Sequence, residues 1–470
     1  MSILDFCPAG WHLYDSQAEL LKNIEADWDK TDVFCVTAST AFGKTLIGYT
    51  LAKWAASRGQ ETNYLVPDNM LLKQALDNHG GFVPLHRKNT YECINLEHDL
   101  DCTCAYVTAL KAIKSAPVRA MNYWTYLSNR RYAYAPVAIF DEGHKVINML
   151  HHFQDLKLWR SEYNFPLTFK SVGDVVEWGQ AKLAKKPDEK LEEAIRRISL
   201  VNPQNEVVLH KQKFRGRQDT LLSIIPCSLI PSTRYLWPSH KVQKLVFMSA
   251  TIGEQDMKEL GLNRKRVTYI ECPSSIPTAN RPLVFRPAYN MSYSCSTHAL
   301  PKLAVEIESL LSQHSDKGII HLPYRLALEL RSHVKNPRLL FHNKRNKTKI
   351  IDAFRTSAAQ EGKVLVASGL YEGIDLKYDE ARWQLIGTIP FASLGDAWIK
   401  KRSEGDKPWY VWQAIKLLIQ AYGRITRTPQ DYGKTYILDS RFGWLLKEYR
   451  YMFPDFILEA LEVVKHDKPA

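Results

Sequence analysis

The sequence predicts an α/β protein of two parallel-sheet domains, the first interrupted by two insertions. Three observations carry that expectation. A strand–loop–helix rhythm opens the chain, short β-rich runs recur with polar or glycine-containing loops after them, and the rhythm restarts after Pro273 and Pro277. The length of 470 residues agrees, at roughly 100–200 residues per domain.

In chain order, Val33–Ala38 reads as a buried strand and Leu46–Ala56 as a helix ended by Ser57-Arg58-Gly59. Asn63–Pro67, Val137–Phe140 and Leu245–Met248 read as further strands of one parallel sheet, whose loops are where such sheets place ligands. Two stretches break the rhythm. The first, placed at 84–120, holds three cysteines within twelve residues; the second, at 150–239, is rich in helix formers around Lys182–Ser199 and reads as a mostly helical insertion. The first domain is therefore expected in three parts, 1–83, 121–149 and 240–280. The second spans 281–470, with strands at Gly318–Leu322, Lys363–Ala367, Gln384–Ile389 and Thr435–Leu438.

Sixty-three Lys and Arg against fifty Asp and Glu leave a net charge of +13, which favours a polyanionic partner such as nucleic acid. Eight scattered cysteines do not make a disulfide framework and point to a reducing compartment. No run approaches eighteen apolar residues, and Met1–Pro8 has no signal-peptide character, so the expectation is a soluble cytoplasmic protein without a membrane partner.

Ala38-Ser39-Thr40-Ala41-Phe42-Gly43-Lys44-Thr45 differs from the phosphate-loop pattern GxxxxGK[ST] only in its first residue, and it lies between a strand and a helix. Successive backbone N–H groups and a helix N-terminus attract phosphates there. Lys44 adds charge near the β and γ oxygens, Thr45 can ligate magnesium, and Gly43 allows close backbone approach. The competing reading is a GKT turn capping an ordinary helix. Asp141 and Glu142, in Ile139-Phe140-Asp141-Glu142-Gly143-His144, end another apolar strand, where Asp141 suits a magnesium site and Glu142 a general base; alone they could be a solvated strand end. In Gln420-Ala421-Tyr422-Gly423-Arg424-Ile425-Thr426-Arg427 the arginines stand at i and i+3, neighbours on a helix face, able to match phosphate oxygens or merely to make surface salt bridges.

Together these residues resemble the motif set of superfamily 2 helicases, and most closely the XPD and DinG group. Further matches are Ser249-Ala250-Thr251 after its strand, Gly369-Leu370-Tyr371-Glu372-Gly373-Ile374-Asp375 as motif V, Asp431-Tyr432-Gly433 with Leu438-Asp439-Ser440-Arg441, and Asn122-Tyr123. The resemblance spans nearly the whole chain. It implies two RecA-like domains with ATP and Mg2+ between them. Lys44, Thr45, Asp141 and Glu142 would stand on one side, and Gln420, Arg424 and Arg427 on the other. Gly373 and Asp375 of motif V join the nucleotide set, Gln17 matches the adenine-reading position, and Ser249 with Thr251 would couple nucleotide state to closure.

The group carries an iron–sulfur insertion held by four cysteines. Here only Cys93, Cys102 and Cys104 match. Either His98, Asp99 or Asp101 completes the site, or the cluster is lost; zinc on Cys93, His98, Cys102 and Cys104 is chemically allowed, and reduced free thiols are the preferred expectation. The second insertion matches the group's arch in position. Lys211, Lys213, Arg215 and Arg217, with Phe214 among them, could follow a phosphate backbone while the ring stacks on a base, although a solvated charge run is the preferred reading. The resemblance implies an ATP-driven DNA helicase or translocase acting on single-stranded and forked or branched DNA and moving 5′→3′; the oligomeric state stays open, with a monomer as the preferred expectation. An RNA-dependent ATPase is the alternative, and a non-catalytic ATP sensor would need a broken site, which the intact motif residues argue against.

Overall fold

The structure is a computed structural model that describes residues 1–464 apart from 40–41, 92–103, 155, 199–205, 215–216, 226–228, 231–232, 234–236, 239, 344, 372–373 and 375. The chain forms two compact units. One comprises Met1–Val36 and Gly43–Ile270, the other Thr37–Phe42 and Glu271–Ala470.

Among the described residues ten strands belong to the first half: β1 Val33–Thr37, β2 Thr62–Val66, β3 Val83–Leu85, β4 Val118–Asn122, β5 Val137–Asp141, β6 Leu156–Trp159, β7 Glu206–Phe214, β8 Arg217–Ile225, β9 Lys244–Ser249 and β10 Val267–Glu271. Seven make one sheet, in the order β10-β1-β9-β5-β2-β4-β3. β2 runs parallel to both β4 and β5, and β5 parallel to β9. β2, β5 and β9 are buried along their whole length, as expected where helices cover both faces of a parallel sheet. One face meets a core of Val33, Cys35, Leu65, Phe140, Leu245 and Phe247.

The supposed insertion at 84–120 is in large part sheet and core. β3 and β4 form the edge of the sheet, paired in parallel, and helix Ala105–Ser115 puts Tyr106, Leu110 and Ile113 into the same core. Short β3 and its loop mask the strand period in sequence. The 150–239 stretch is likewise not mostly helical. Helices Val172–Lys185 and Glu189–Ile198 pack on a three-stranded antiparallel sheet, β6-β8-β7, around Leu158, Phe165, Val175, Leu191, Leu222 and Ile224. The basic run belongs to the β7–β8 hairpin, where Phe214 pairs in register with Arg217. Cross-strand burial of Leu222 and Ile224, invisible to local composition, overrides the helix-forming surroundings.

Among the described residues the second unit has seven strands: β11 Leu283–Tyr289, β12 Gly318–His321, β13 Leu339–Phe341, β14 Val364–Ala367, β15 Trp383–Ile386, β16 Lys434–Asp439 and β17 Leu461–Val463. Their order is β13-β14-β12-β15-β16-β11-β17, and each neighbouring pair is parallel. Alternate residues serve opposite faces. Val364 and Val366 enter one core with helix Ser296–Gln313, while Leu365 and Ala367 enter another with Phe354 and Ile374. No helix among the described residues is long and apolar enough to cross a membrane.

Gly318 opens β12 flat against the fully buried Trp383 indole, which a Cβ there would strike. Gly318→Ala is expected to cost about 1–3 kcal/mol by overpacking, read as a lower melting temperature than the parent; an unchanged melt would show that Trp383 yields.

Candidate nucleotide site

The loop Ala38–Thr45 leaves β1 and enters helix Lys44–Ser57, with Gly43 as its N-cap in the left-handed region at φ 77°. Thr40 and Ala41 lie outside the described residues; Ala38, Ser39, Phe42 and Lys44 are buried. Only glycine fits position 43. Its φ strains any other residue, and a Cβ would stand 2.6 Å from Gln17 Nε2. Gln17, on helix Asp15–Asp27, is therefore packed against the loop, and its Oε1 accepts the Tyr14 amide at 2.9 Å.

At the end of β5 the structure brings the acidic pair to this loop. Asp141 Oδ2 accepts hydrogen bonds from Thr45 Oγ1 at 3.0 Å and Tyr64 OH at 2.7 Å, and Oδ1 accepts from the Glu142 amide at 3.0 Å. Lys44 Nζ lies 3.4 Å from Glu142 Oε1. His144 Nδ1 lies 3.4 Å from Glu142 Oε2 and 2.7 Å from Ser249 Oγ, which also accepts the Thr251 amide at 3.0 Å. Lys44, Thr45, Asp141, Glu142, His144, Ser249 and Thr251 thus form one connected cluster, carried by helices Lys44–Ser57 and His144–Gln154, strands β5 and β9 and the turns that follow those strands. Glu142 holds φ 54°, an uncommon conformation for a residue with a Cβ, worth about 1–3 kcal/mol of strain and typical of functional sites.

The two carboxylates are set apart electrically. Burial, with the charge of Glu142 beside it, raises the Asp141 carboxyl above its ordinary value, against the opposing pull of Lys44 and the Tyr64 and Thr45 hydroxyls. Burial also pushes Glu142 up, but the charges of Lys44, His144 and Lys145 outweigh it and hold that carboxyl below the usual range. The charged Glu142 is what a general base requires. The Thr45 hydroxyl and Asp141 carboxylate, already in contact through hard oxygen atoms, are a donor pair suited to magnesium.

Sequence reasoning missed Tyr64, and read Tyr123 only as half of the Asn122-Tyr123 pair with no partner assigned to it. Tyr64 reaches Asp141 from the neighbouring strand, and Tyr123 OH donates to the Asp141 backbone carbonyl at 2.6 Å. Asn122 of the same pair caps helix Tyr123–Ala133 by accepting the Thr125 amide at 2.7 Å. Nothing local marks a strand tyrosine as a partner of a carboxylate 77 residues away.

In the second unit the arginine motif differs from the expected helix face. Helix Lys407–Tyr422 ends before Gly423, so Gln420 lies on its last turn and Arg424 and Arg427 follow it in irregular chain. The chain leaves the helix through a turn in which the Arg424 amide donates to the Ala421 carbonyl at 3.1 Å. Arg424 is buried. Its Nε donates to the Tyr371 carbonyl and its Nη1 to the Ile374 carbonyl, both at 3.0 Å, with Gln420 Oε1 3.4 Å from Nη2. In this conformation it holds the motif V segment. Arg427 is half-buried, and its amide donates to Asp431 Oδ2 at 3.2 Å. His321, stacked on Tyr371 with centroids 5.4 Å apart, is pushed down to about 4 by burial and is neutral at physiological pH.

Gly373 and Asp375 lie outside the described residues, as do Cys93, Cys102 and Arg215. Cys104 Sγ accepts the Val107 amide at 3.5 Å, capping helix Ala105–Ser115. Among the described residues no group of three or more His, Cys, Asp or Glu is placed to hold a metal ion. Lys211, Lys213 and Phe214 are described only as backbone of β7; Arg217 is exposed at the start of β8.

Arg424→Ala would strip two carbonyls of charge-assisted donors, at an expected cost of at least about 2 kcal/mol. The measurement is amide hydrogen exchange over 369–376 together with the melting temperature; unchanged protection there would show that Arg424 does not hold the segment.

Comparison with known proteins agrees with this geometry. Residues 11–168 match the family described as type III restriction enzyme, res subunit, and residues 307–459 match the helicase C-terminal domain family. A solved structure of Xpd4 from S. tokodaii superposes with a TM-score of 0.61 at 13% identity, covering 96% of this chain and 100% of that one. An XPD helicase structure gives 0.62 at 14% identity, covering 97% and 100%, and an apo XPD structure 0.58 at 14%, covering 94% and 99%. With one segment in each half of the chain matched by these family models, the second of them the helicase C-terminal domain, the chain has the fold of the XPD structures, two RecA-like α/β domains.

Proposed function

We propose that the protein is an ATP-dependent DNA helicase or translocase that moves along single-stranded DNA, 5′→3′, and unwinds or remodels forked and branched duplexes. The observation that carries this reading is the convergence of Lys44, Thr45, Asp141 and Glu142 in one cluster, within a chain that follows the XPD fold over almost its whole length. The excess of thirteen positive charges supports a nucleic-acid track.

In this mechanism Lys44 leaves Glu142 to meet the β and γ phosphate oxygens when ATP enters, and the carboxylate it releases takes a proton from the attacking water. Magnesium, held by Thr45 and Asp141, supplies charge neutralisation on the phosphates when bound. Gln17 reads the adenine edge. His144 passes the state of Glu142 to Ser249 and Thr251, and Arg427 is the residue expected to meet charge developing on the γ-phosphate. Only a difference in affinity for the strand between nucleotide states can turn hydrolysis into directed movement.

Lys44→Ala is expected to weaken nucleotide binding and abolish turnover. Glu142→Gln should retain ATP binding while kcat falls about 100-fold or more; parental turnover in Glu142→Gln would remove it from the base role. Arg427→Ala should lower kcat by about 10³-fold or more by analogy with arginine fingers.

Single-stranded DNA should stimulate hydrolysis more than RNA of the same sequence, and forks with a 5′ tail should be unwound in preference to those with a 3′ tail. Stronger stimulation by RNA would make the protein an RNA-dependent ATPase, and exclusive use of 3′ tails would reverse the polarity.

A further inference from the structure

Tyr64 is fully buried in β2, yet its side chain ends in a hydroxyl. A phenylalanine would fill the same space without a polar atom to desolvate, so the hydroxyl needs a partner to offset its burial. That partner is Asp141 Oδ2, at 2.7 Å. Register explains why a tyrosine makes the bond. Tyr64 pairs with Ile139 in the parallel ladder of β2 and β5, so Asp141 lies two residues further along the neighbouring strand, on the same face of the sheet. A tyrosine leaning along the strand spans that diagonal, and a serine or threonine is too short.

The ring is set in place by its neighbours. Phe82 stacks on it, with centroids 5.1 Å apart and planes 18° from parallel. Gly48, in helix Lys44–Ser57, leaves room for it: a Cβ there would stand 2.6 Å from Tyr64 Cε2 and 2.9 Å from Met248 Cε. Glycine inside a helix is unfavourable relative to alanine, so space for the ring is a physical reason for its presence. The helix that carries Lys44 and Thr45 is thus cut away where it meets the tyrosine.

Among the described residues three donors bond the Asp141 side chain. Oδ1 accepts the Glu142 amide, and Oδ2 accepts the hydroxyls of Thr45 and Tyr64. Thr45 and Glu142 belong to the segments expected to meet the nucleotide and its metal, whereas Tyr64 is rooted in a strand buried along its whole length. Hydrogen bonds of this outer kind orient a carboxylate toward a metal ion.

We propose that Tyr64 is a positioning residue for magnesium: its hydroxyl keeps the Asp141 carboxylate fixed when the Thr45 oxygen is shared with the ion, and Gly48 and Phe82 set the ring from which it does so. The inference rests on the nucleotide chemistry proposed above and adds to it a residue from outside both motifs.

The test compares the full-length protein with Tyr64→Phe, which keeps the stacked ring and removes only the hydroxyl. Binding of Mn2+ in the presence of ADP, read from the loss of the free-ion EPR signal, should weaken about 10- to 100-fold in Tyr64→Phe. The Mg2+ concentration giving half-maximal ATP hydrolysis should rise by a similar factor, with a smaller change in kcat. ADP binding in EDTA should equal the parent's, since the hydroxyl acts on the metal ligand. Gly48→Ala should weaken Mn2+ binding by itself and add nothing further in Tyr64→Phe, where no hydroxyl remains to be displaced. Parental Mn2+ affinity and Mg2+ dependence in Tyr64→Phe, with or without a lower melting temperature, overturns the proposal and leaves the hydroxyl a packing feature. Loss of ADP affinity in EDTA to the same extent also overturns it, because the whole pocket has then shifted. Additive effects of Gly48→Ala and Tyr64→Phe overturn the part given to Gly48. In each of these cases the nucleotide reading stands. If the parent itself binds no Mn2+ with ADP and hydrolyses no ATP at any Mg2+ concentration, both fall.

Discussion

The structure of the first domain is organised around two adjacent carboxylates buried beside one ammonium group. Placing Asp141 and Glu142 together at a strand end is unfavourable in isolation, since desolvation and mutual repulsion both oppose their charge. Lys44 reduces that repulsion, the hydroxyls of Thr45 and Tyr64 occupy Asp141, and His144 faces Glu142 from the other side. The neighbouring architecture follows from this need. β2 carries Tyr64 at the register that reaches Asp141, and position 43 must be glycine because a Cβ there would meet Gln17.

The second domain shows a related economy with arginine. A guanidinium offers five donors, and Arg424 directs them to backbone carbonyls of the motif V segment and to Gln420. Asp431 does the converse, accepting from the amides of Tyr378, Arg427 and Tyr432 and from the Arg382 guanidinium. Residues that a motif list treats as a row of ligands are thus partly fasteners. They fix irregular chain between strands, where no ladder of hydrogen bonds exists to do so. Arg427 and Arg424, three positions apart, consequently have different surroundings and need not share a role.

Much of the fold was legible in advance because parallel strands buried on both faces are short continuous apolar runs. Val33–Thr37, Val137–Asp141 and Gly318–His321 stand out in that way. Edge strands lack the signal. β3 is three residues long with only Leu85 fully buried, and β13 is similar, so both passed as loop. In 150–239 the hairpin β7–β8 carries polar residues on one side and gains its stability from Leu222 and Ile224 against helices that precede it. Its local composition therefore read as charged coil beside helix. The phosphate loop and the acidic pair were readable because phosphate chemistry demands those residue types in consecutive positions. Tyr64, the bond from Tyr123 to the Asp141 carbonyl and the clamp made by Arg424 were not, because each acts across 18 to 77 residues of sequence.

The sequence by itself determined the chemistry on offer: a lysine and threonine at the start of a helix, an aspartate and glutamate at the end of a strand, and an excess of positive charge. Backbone geometry and residue type fix these within a few positions, so no distant contact is needed to recognise them. Only the tertiary structure decided which groups face one another. It set Glu142 against Lys44 and turned Arg424 inward to its own loop. Those outcomes depend on strand order and register, which arise from the packing of whole sheets and which no short window of residues contains.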